Sequence, residues 1–403
     1  MKRALTVVSE LYYPEQTSTG YFLTRISEGL AEQCKIEVIC SQPTYSERGT
    51  RSPWNERRSG VFIRRCWGTT LSKDSLAGRF LNMVSFCISV CIVSLRRIRK
   101  DSNVLVVTNP PLVPYIVVPA CKIKGARSFI LVHDVYPEVL IASGFLREGS
   151  AAARWIGYCT RLLLNSAFRV IVIGRDMRQL IEKRYKIRGE RARVITNWAD
   201  TNEIHPEPKK GNLLLKELGL EDRFVVQYCG NMGRTHGLQQ LMEAAEILQL
   251  GRKIHFLLIG WGAKRSWVEK HIESHKLSNV TILPHQARER LNTALNACDL
   301  AVISFVAGMA GISVPSRMYN IMAAGKPILA VADEESELAM VVREEQIGWV
   351  VPPGQTSSTV QAIEQASADQ DCLKEMGRRA RGAAEGKYSF ERIVELYTRM
   401  LDE

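Results

Sequence analysis

The chain has 403 residues, of which 46% are hydrophobic and 24% are charged, and Lys and Arg outnumber Asp and Glu by 54 to 42. This composition excludes a disordered chain, a collagen-like chain and a polytopic membrane protein, and the length predicts two or three domains. The net charge of +12 favours an anionic partner such as a phosphate-bearing substrate or a membrane surface. A nucleic-acid partner is not expected, because the basic residues are spread along the chain without an aromatic-interleaved basic stripe.

The ten cysteines form no Cys-x-x-Cys pair and no Cys/His group with the spacing of a zinc site. They therefore indicate buried thiols in a reducing compartment. The first residues lead directly into an apolar run and show no small-residue cleavage site of a secretory signal. We therefore expect a cytoplasmic protein.

In the first half of the chain, short runs rich in Val and Ile alternate with helix-like segments. The first run, residues 5–9, is followed by a Gly/Ser/Thr-rich loop and by residues 21–33, where Phe22, Ile26 and Leu30 recur every four residues. Continuous apolar runs indicate parallel strands that are covered on both faces. We therefore predict a doubly wound α/β domain, with further strands at 36–40, 104–108, 129–132 and 170–173.

Residues 80–95 break this pattern, because they form an uncharged run in which Ser and Asn are the polar members. A membrane-spanning helix needs about 20 apolar residues, so this run is short for a span. Two interpretations stay open: a crossover helix under the first sheet, or a surface helix that dips into a bilayer. In the second case, anionic headgroups would meet a basic cluster formed by Arg96, Arg97, Arg99 and Lys100. We assign a membrane-associating segment to residues 76–100.

The same alternation restarts after residue 200, with candidate strands at 224–229, 254–259, 280–283, 300–304, 327–331 and 348–351. Residues 200–211 are rich in Pro, Lys and Glu and predict a linker, and residues 194–200 suit a hinge. We predict two Rossmann-like doubly wound domains that face a cleft, over residues 1–200 and 201–386. The last helix, 387–403, is expected to cross back to the first domain. Ligands in such folds bind at the carboxyl ends of the strands.

The sharpest local signal is the sequence GNMGRTHG at residues 230–237, which follows a predicted strand and opens a helix. Gly230 and Gly233 allow the backbone to turn tightly and approach a ligand, and the helix start favours an anion. Arg234 adds a forked donor for phosphate. The spacing is not the dinucleotide pattern G-x-G-x-x-G, and a plain strand–helix turn is the alternative.

A second signal lies at residues 314–327, VPSRMYNIMAAGKP. Pro315 suits the first turn of a helix and Gly325 suits the position just after its end. Arg317 would lie in the first turn, where the helix dipole disfavours a cation, and this indicates that Arg317 meets an anion. The alternative is a structural helix that carries an exposed arginine.

The first half contributes two weaker candidates. His133 and Asp134 directly follow a predicted strand, and they could supply a general base or hold an acceptor hydroxyl. The alternative is that Asp134 or Glu138 caps the next helix. Gly20 lies at the first strand–helix turn, where its backbone N–H would face the cleft, and the alternative there is helix capping by Ser18 or Thr19.

Taken together, these blocks resemble the retaining glycosyltransferases of family 4, which have the GT-B fold. The matching pieces stand in the family's order: the loop 13–15 with Gly20, then 133–138, 194–200, 230–238 and 315–327. The chain is most similar to bacterial enzymes of surface-polysaccharide clusters, such as colanic-acid and N-acetylfucosamine transferases. The resemblance implies transfer of a sugar with retention from a nucleotide diphosphate sugar, with UDP favoured and an N-acetylated deoxysugar as one donor. It implies no metal and no cofactor.

The resemblance also implies roles for individual residues. It implies a catalytic set that is shared between the two halves: His133, Asp134, Arg234 and Arg317. It implies a second set that binds the nucleotide sugar: Gly20, Gly230, Asn231, Gly233, His285, Ser316 and Asn320. The two arginines would stabilise the charge that grows on the leaving nucleotide, and His285 would border the nucleobase.

The chain departs from the family at two positions. Two glutamates separated by seven residues are frequent in the family, and here Ile312 and Asn320 stand in their places. Asn320 can still hydrogen-bond a ribose hydroxyl, without charge, whereas Ile312 cannot contact a donor sugar in that way.

The resemblance, the basic charge and the apolar run together predict an acceptor of the lipid-linked, undecaprenyl diphosphate type. The enzyme would extend a polysaccharide or O-antigen precursor at the inner face of the plasma membrane, to which it would attach peripherally. Two alternatives stay open. One is a nucleotide-sugar 2-epimerase of the same fold, which needs no lipid acceptor. The other is an inactive membrane-bound scaffold, which the missing glutamates motivate.

Overall fold

A computed structural model describes residues 3–43, 51–69, 71, 76–187, 189–251 and 253–403. Residue contacts divide the chain into two units. The first comprises Met1–Glu138, Leu146–Thr196 and Ile393–Glu403, and the second comprises Val139–Phe145 and Asn197–Arg392. The main division lies four residues before the predicted one, and the returning segment begins at 393 rather than at 387. Residues 139–145 belong to the second unit although they lie within the first half of the chain, and no sequence pattern predicted this.

The strands of the first unit are β1 (Arg3–Val8), β2 (Cys34–Cys40), β3 (Asn55–Arg58), β4 (Val61–Arg65), β5 (Asn103–Val107), β6 (Arg127–Val132), β7 (Arg169–Val172) and β8 (Ala192–Val194). Within the described residues they form an eight-stranded sheet in the order β3-β4-β2-β1-β5-β6-β7-β8. The strands pair in parallel, apart from the antiparallel pair β3–β4. The chain direction across the sheet reverses between β1 and β5, which makes their carboxyl ends the switch point of this unit.

The helices up to this point are α1 (Ser18–Leu30), α2 (Leu76–Arg97), α3 (Pro114–Lys124), α4 (Glu138–Ala142), α5 (Ala151–Ser166) and α6 (Arg175–Tyr185). Right-handed crossovers that advance in one direction from β4 to β8 place their helices on the same face of the sheet. In agreement, α3 packs against both α2 and α5, and α5 packs against α6. This row of helices gives the first unit one broad helical face.

Helix α1 is capped one residue earlier than we predicted. The hydroxyl of Thr17 accepts a hydrogen bond from the Gly20 N–H at 3.3 Å, so neither Ser18 nor Thr19 is the cap. Thr17 has the extended backbone that a cap requires, whereas Ser18 is already helical.

The apolar run lies in α2, and the helix has two different faces. Phe86 and Val90 are buried against the rest of the unit. The same face carries Asn82, whose amide pairs with the backbone N–H and C=O of Leu71, each at 2.9 Å. The polar residues inside the run therefore stabilise the packing of α2. One face of α2 therefore packs on the unit as a crossover helix does, and its other face is apolar and exposed, as a membrane-associating helix requires.

The strands of the second unit are β9 (Phe224–Cys229), β10 (Ile254–Ile259), β11 (Val280–Leu283), β12 (Leu300–Ser304), β13 (Ile328–Val331) and β14 (Gly348–Val351). The six pair in parallel within the described residues, in the order β11-β10-β9-β12-β13-β14. This is the Rossmann strand order, with its switch point between β9 and β12. The prediction of two doubly wound α/β domains is confirmed.

The remaining helices are α7 (Leu213–Leu218), α8 (Leu238–Leu248), α9 (Arg265–Ser274), α10 (Leu291–Asn296), α11 (Arg317–Ala323), α12 (Glu337–Glu344), α13 (Thr356–Ala368), α14 (Gln370–Gly386) and α15 (Phe390–Asp402). The core of the second unit lies between its sheet and helices such as α8 and α13. Fully buried Tyr228 and Phe256 are among its largest side chains.

The predicted linker at 200–211 is a strap that is fixed on the second unit. Ile204 is buried, and its carbonyl accepts a hydrogen bond from Arg381 at 2.8 Å. The backbone N–H of Glu207 donates to Asn296 at 2.9 Å, and Lys209 forms an ion pair with Asp299 at 2.5 Å. The Pro, Lys and Glu content that suggested a linker therefore reflects an irregular backbone with specific partners.

Candidate functional site

The candidate site of the second unit lies where β9 and β12 end, at the switch point of the sheet. The β9 loop (residues 230–237) and the β12 loop (residues 305–316) are joined there by backbone hydrogen bonds. Val306 N–H donates to the carbonyl of Thr235 at 2.9 Å, and Ser304 and Gly237 exchange two further hydrogen bonds. Helix α8 begins directly after the β9 loop, so its positive end faces this edge of the sheet.

A third segment, the β10 loop (residues 260–264), supports the β9 loop from the other side. The N–H of Met232 donates to the carbonyl of Trp261 at 2.6 Å, and the N–H of Lys264 donates to Met232 at 2.9 Å. A Cβ atom on Gly260 would lie 1.9 Å from the Gly230 carbonyl oxygen, so only glycine fits there. The β9 loop is therefore held in one shape by backbone contacts with its neighbours.

Arg317, the first residue of α11, lies against the β9 loop. Its guanidinium carbon is 4.8 Å from the centroid of the Tyr228 ring, and Nη1 is 3.5 Å from the carbonyl of Cys229. A Cβ atom on Gly230 would lie only 2.9 Å from Nη1. The structure thus brings together Gly230 and Arg317, which the sequence placed 87 positions apart, and the half-buried cation faces the loop that opens α8.

Two further residues of this site were missed by the sequence analysis: His236 and Lys264. His236 is buried, and its ring stacks on Phe305 at a centroid distance of 5.3 Å. Within the described residues its Nδ1 atom is buried without a hydrogen-bond partner. Lys264 donates from Nζ to the carbonyl of His236 at 2.6 Å. A Gly-x-Gly pattern directly after β10 was the signal that could have pointed to Lys264.

The protonation states follow from burial and from neighbouring charges. Desolvation holds the pKa of His236 well below its usual value, and the positive charges of Arg317 and Lys264 lower it further, so the imidazole is neutral. Burial also lowers the pKa of the Lys264 ammonium group. The site therefore holds two cations, Arg317 and Lys264, beside a neutral histidine, and this arrangement suits a bound anion.

The β12 loop is held by a carboxylate. Asp333 accepts hydrogen bonds from the backbone N–H groups of Gly308 and Ala310, at 3.1 and 3.0 Å. Ile312 is buried in this loop. Ser316 directly precedes Arg317, and Asn320 lies half-buried one turn further along α11.

The other predicted residues of this unit lie at the rim of the site. Asn231 is exposed, and its Nδ2 atom would be 3.0 Å from a Cβ atom on Gly233. Arg234 is also exposed, and its guanidinium lies over the ring of Phe145 at 5.1 Å. His285 is exposed two residues beyond β11. Of the two arginines that were expected at the diphosphate, Arg317 is thus fixed against the β9 loop and Arg234 lies on the surface.

The first unit carries the remaining candidates at the carboxyl ends of its own strands. Gly20 is buried in the first turn of α1, where a Cβ atom would lie 2.8 Å from the Glu15 carbonyl oxygen. The close packing of this turn therefore explains the glycine. Its backbone N–H, which we expected to face a ligand, is the donor to the Thr17 cap.

His133 and Asp134 follow β6, and both are half-buried. The N–H of His133 donates to Thr108 at 3.1 Å, and its Nε2 atom has no hydrogen-bond partner among the described residues. Desolvation lowers the pKa of His133 to about 4, so its ring is neutral at physiological pH.

Glu138 has a structural role. It is buried, its carboxylate accepts the Tyr185 hydroxyl at 2.6 Å, and it pairs with Arg184 at 2.7 Å. Of the three polar residues that follow β6, His133 and Asp134 therefore remain as candidates for contact with a substrate.

Two family descriptions match the chain. Glycosyl transferases group 1 matches residues 213–383, and the glycosyl transferase 4-like domain matches residues 19–198. A protein of Pseudomonas aeruginosa named as a probable glycosyltransferase, WbjE, is 31% identical over 364 residues, which are 89% of this chain and 88% of that protein. A protein of Escherichia coli strain K12 named as a putative colanic acid biosynthesis glycosyl transferase, WcaI, is 26% identical over 88% of this chain and 90% of its own length.

Solved structures show the same fold along the whole chain. Sucrose-phosphate synthase from Thermosynechococcus elongatus superposes with a TM-score of 0.80 at 16% identity, and 99% of each chain is covered. Anabaena HepE, solved in complex with UDP-glucose, superposes with a TM-score of 0.75 at 15% identity, again over 99% of each chain.

Proposed function

Because the chain belongs to the group 1 glycosyl transferases and has the GT-B fold, we propose that it transfers a sugar from a nucleotide diphosphate sugar to a lipid-linked saccharide. Similarity to WbjE and to a colanic acid transferase supports a role in surface-polysaccharide biosynthesis. The donor and the acceptor are inferred from the residues of each unit, and retention is inferred from the resemblance to a retaining family.

The donor proposal rests on one observation: the β9 loop, the start of α8 and two cations meet at the switch point of the second sheet. Arg317 is fixed at Gly230, and Lys264 is fixed at His236. A diphosphate carries the charge that this group of residues can bind, with backbone N–H groups and cations as partners. The complex of HepE with UDP-glucose, a protein of the same fold, supports a nucleotide sugar and favours UDP.

In the proposed reaction the bond between the anomeric carbon and the diphosphate oxygen breaks, and negative charge grows on the leaving nucleotide. Arg317 and Lys264 stabilise that charge, which is the contribution that a metal ion makes in other transferases. We therefore propose a metal-independent transfer. Because His236 is neutral, the positive charge near the leaving group comes from Arg317 and Lys264.

The acceptor hydroxyl forms the new bond to the anomeric carbon, and its proton passes to the diphosphate oxygen that leaves. In the first unit, His133 and Asp134 are the candidates for holding this hydroxyl. His133 has a neutral ring, and its Nε2 atom is buried without a partner among the described residues, so a small side-chain movement would be needed to reach a hydroxyl. We propose retention at the anomeric carbon because the motifs resemble those of retaining glycosyltransferases.

The lipid-linked acceptor is supported by the exposed face of α2. Ile88 is 57% exposed, and a stripe of apolar residues continues along the same face: Leu81, Ile92 and Leu95. Exposed basic residues follow at the end of the helix: Arg96, Arg97, Arg99 and Lys100. Among the described residues α2 is also the one helix long and apolar enough to cross a membrane, by length and composition alone. An apolar stripe beside a basic cluster suits the surface of an anionic bilayer.

Helices α3 and α5 extend this face. Ile123, at the end of α3, is 75% exposed, and α3 packs between α2 and α5. On α5 three exposed side chains lie at helical spacing, Trp155, Tyr158 and Leu162. Trp and Tyr are the side chains that concentrate at membrane interfaces. We propose that the helical row of the first unit rests on the cytoplasmic leaflet, so that the enzyme is attached peripherally.

A transfer assay tests the proposal. Purified protein is incubated with a panel of radiolabelled UDP- and GDP-sugars and with vesicles that contain undecaprenyl diphosphate saccharides, in buffer with and without EDTA. We expect one donor to label the lipid fraction, at a rate that EDTA does not change. Lack of nucleotide binding and of transfer with every donor would contradict the proposal.

Two other results would identify the alternatives. Conversion of the free donor into its 2-epimer, without an acceptor, would indicate an epimerase. Vesicle binding with intact folding but without transfer would indicate a scaffold, which the replacement of two family glutamates by Ile312 and Asn320 would explain.

A further inference from the structure

We propose that Glu246, His271 and His275 form a binding site for a divalent transition-metal ion, with Zn²⁺ as the best-matched ion. The three residues lie on helices of the second unit, outside the donor site. Glu246 belongs to α8, His271 belongs to α9, and His275 is the residue that ends α9. One potential ligand atom from each residue lies within 4.8 Å of the other two.

Two of the three ligand–ligand separations lie within about 1 Å of those in a tetrahedral site. His271 Nε2 lies 2.5 Å from Glu246 Oε1, and His275 Nε2 lies 4.0 Å from the same oxygen. An ion that is about 2.0–2.2 Å from each ligand sets the ligand atoms roughly 3.3–3.6 Å apart. Opening the first distance and closing the second, each by roughly 1 Å or less, therefore brings the ligands to the ion. Rotation of the Glu246 and His275 side chains can supply such shifts.

The two histidines are already arranged side by side. They are separated by one helical turn, and their rings stack with centroids 4.0 Å apart at an interplanar angle of 23°. On its other side, the ring of His271 packs against Trp267 with a centroid distance of 5.0 Å. The indole thus limits the rotation of His271, and less ordering is required when the ion binds.

The hydrogen bonds of His275 select the ring nitrogen that can bind a metal. Its Nδ1 atom lies 3.0 Å from the backbone carbonyl of His271. Nδ1 also lies 3.0 Å from the Ser274 hydroxyl. In the tautomer in which Nδ1 donates to the carbonyl, Nε2 carries the lone pair that faces Glu246. A carbonyl that orients the non-ligating nitrogen is the usual outer partner of a metal-bound histidine.

The donor set decides the class of ion. Two imidazole nitrogens and one carboxylate oxygen suit Zn²⁺ and neighbouring transition metals, whereas Mg²⁺ and Ca²⁺ prefer oxygen ligands alone. His275 is exposed, so water can complete the coordination from the solvent side. The ion would join the end of α9 to α8, and α8 begins at the β9 loop.

A bound ion that prefers the folded state raises the temperature of unfolding. The experiment uses the full-length chain, treated with EDTA and then freed of it, with three variants: His275→Gln, Glu246→Gln and, as a matched control, His205→Gln. His205 is an exposed histidine of the same unit that lies beside a glutamate, Glu207. Zn²⁺ and Mg²⁺ are titrated by calorimetry, and the midpoint of thermal unfolding is recorded at each metal concentration.

We expect wild type and His205→Gln to bind one equivalent of Zn²⁺ and to unfold at a higher temperature with Zn²⁺ but not with Mg²⁺. His275→Gln and Glu246→Gln should lose the binding and the shift, and their metal-free unfolding temperature should stay near that of wild type. Zn²⁺ binding that survives in both variants, as binding by cysteines would, overturns the proposal. So does the absence of Zn²⁺ binding in wild type. Neither readout depends on sugar transfer. A negative result here therefore leaves the proposed function untouched, and a negative transfer assay leaves the metal site untouched.

Discussion

Gly230 determines where the Arg317 cation stands, because its missing Cβ leaves the space that the guanidinium fills. Its backbone angle φ is +143°, which other residues adopt rarely. We predict that Gly230→Ala displaces Arg317 and weakens UDP binding at least about 10-fold, the value of a lost charge-assisted contact. Calorimetric titration with UDP measures this.

Gly382→Ala is the matched control, since a Cβ atom there would meet nothing within 4 Å and the residue lies inside α14. It should bind UDP as wild type does. Equal UDP affinity in the Gly230 and Gly382 variants would show that the Arg317 position does not matter for the nucleotide.

Lys264 makes the donor site sensitive to pH. Burial lowers its pKa, so the ammonium group loses its proton at a lower pH than an exposed lysine does. A bound diphosphate needs the charged form, so we predict that UDP affinity falls as the pH rises through the Lys264 pKa. In Lys264→Arg the charge persists, and this fall in affinity with rising pH should flatten. If UDP affinity depends on pH in the same way in both proteins, Lys264 does not contact the diphosphate.

At the scale of elements, α2 combines a buried and an exposed apolar face. Phe86 is 2% exposed and Ile88 is 57% exposed, although they are two residues apart in one uncharged run. Hydropathy cannot separate the two faces of such a helix, and for this reason the sequence left a core helix and a membrane helix both open. The two faces are distinguished by the helical period and by the hydrogen bonds of Asn82, which mark the packed face.

This asymmetry yields a paired prediction. The double substitution Ile88→Asp and Ile92→Asp should abolish flotation with anionic vesicles and should change the free energy of unfolding by less than about 1 kcal/mol. Phe86→Asp should instead destabilise the fold by about 4 kcal/mol or more, because it buries an unpaired charge. Flotation and denaturant unfolding measure the two effects. If the Ile88/Ile92 variant floats as well as wild type does, the exposed face of α2 does not contact the membrane.

Strands and loops differed in how far the sequence could predict them. Five of the six strands in the second unit have the predicted bounds, because buried parallel strands are continuous apolar runs. The β3 strand was missed, since its sequence, NERR, is charged and lies at a sheet edge. The roles of His236 and Lys264 were missed because they depend on contacts between loops that are 28 residues apart. Composition and period do not report such contacts.

At the scale of the whole molecule, neutral histidines inside the fold make it sensitive to acid. Burial lowers the pKa of His133 and of His255 to about 4 and holds that of His236 well below its usual value. Below about pH 6.5 the unfolded chain therefore binds protons that the folded chain does not bind. Stability should fall as the pH drops from about 6.5 to about 4, by up to roughly 1.4 kcal/mol per pH unit for each histidine.

Denaturant unfolding between pH 7 and pH 4.5 measures this loss, and His255→Gln should reduce its slope. His255 is suited to the test because it lies in β10 and bonds Thr281 at 2.8 Å, away from the candidate site. A wild-type stability that is constant over this range would contradict the assignment of neutral histidines in the folded chain.

The most direct test of the diphosphate site compares two ligands on two proteins. Wild type and Arg317→Ala are titrated with UDP and with uridine, which lacks the diphosphate. We predict that wild type prefers UDP strongly and that Arg317→Ala reduces this preference about 10- to 100-fold, while uridine binds both proteins equally. A UDP-to-uridine ratio that is the same in the two proteins would contradict the placement of the diphosphate at Arg317.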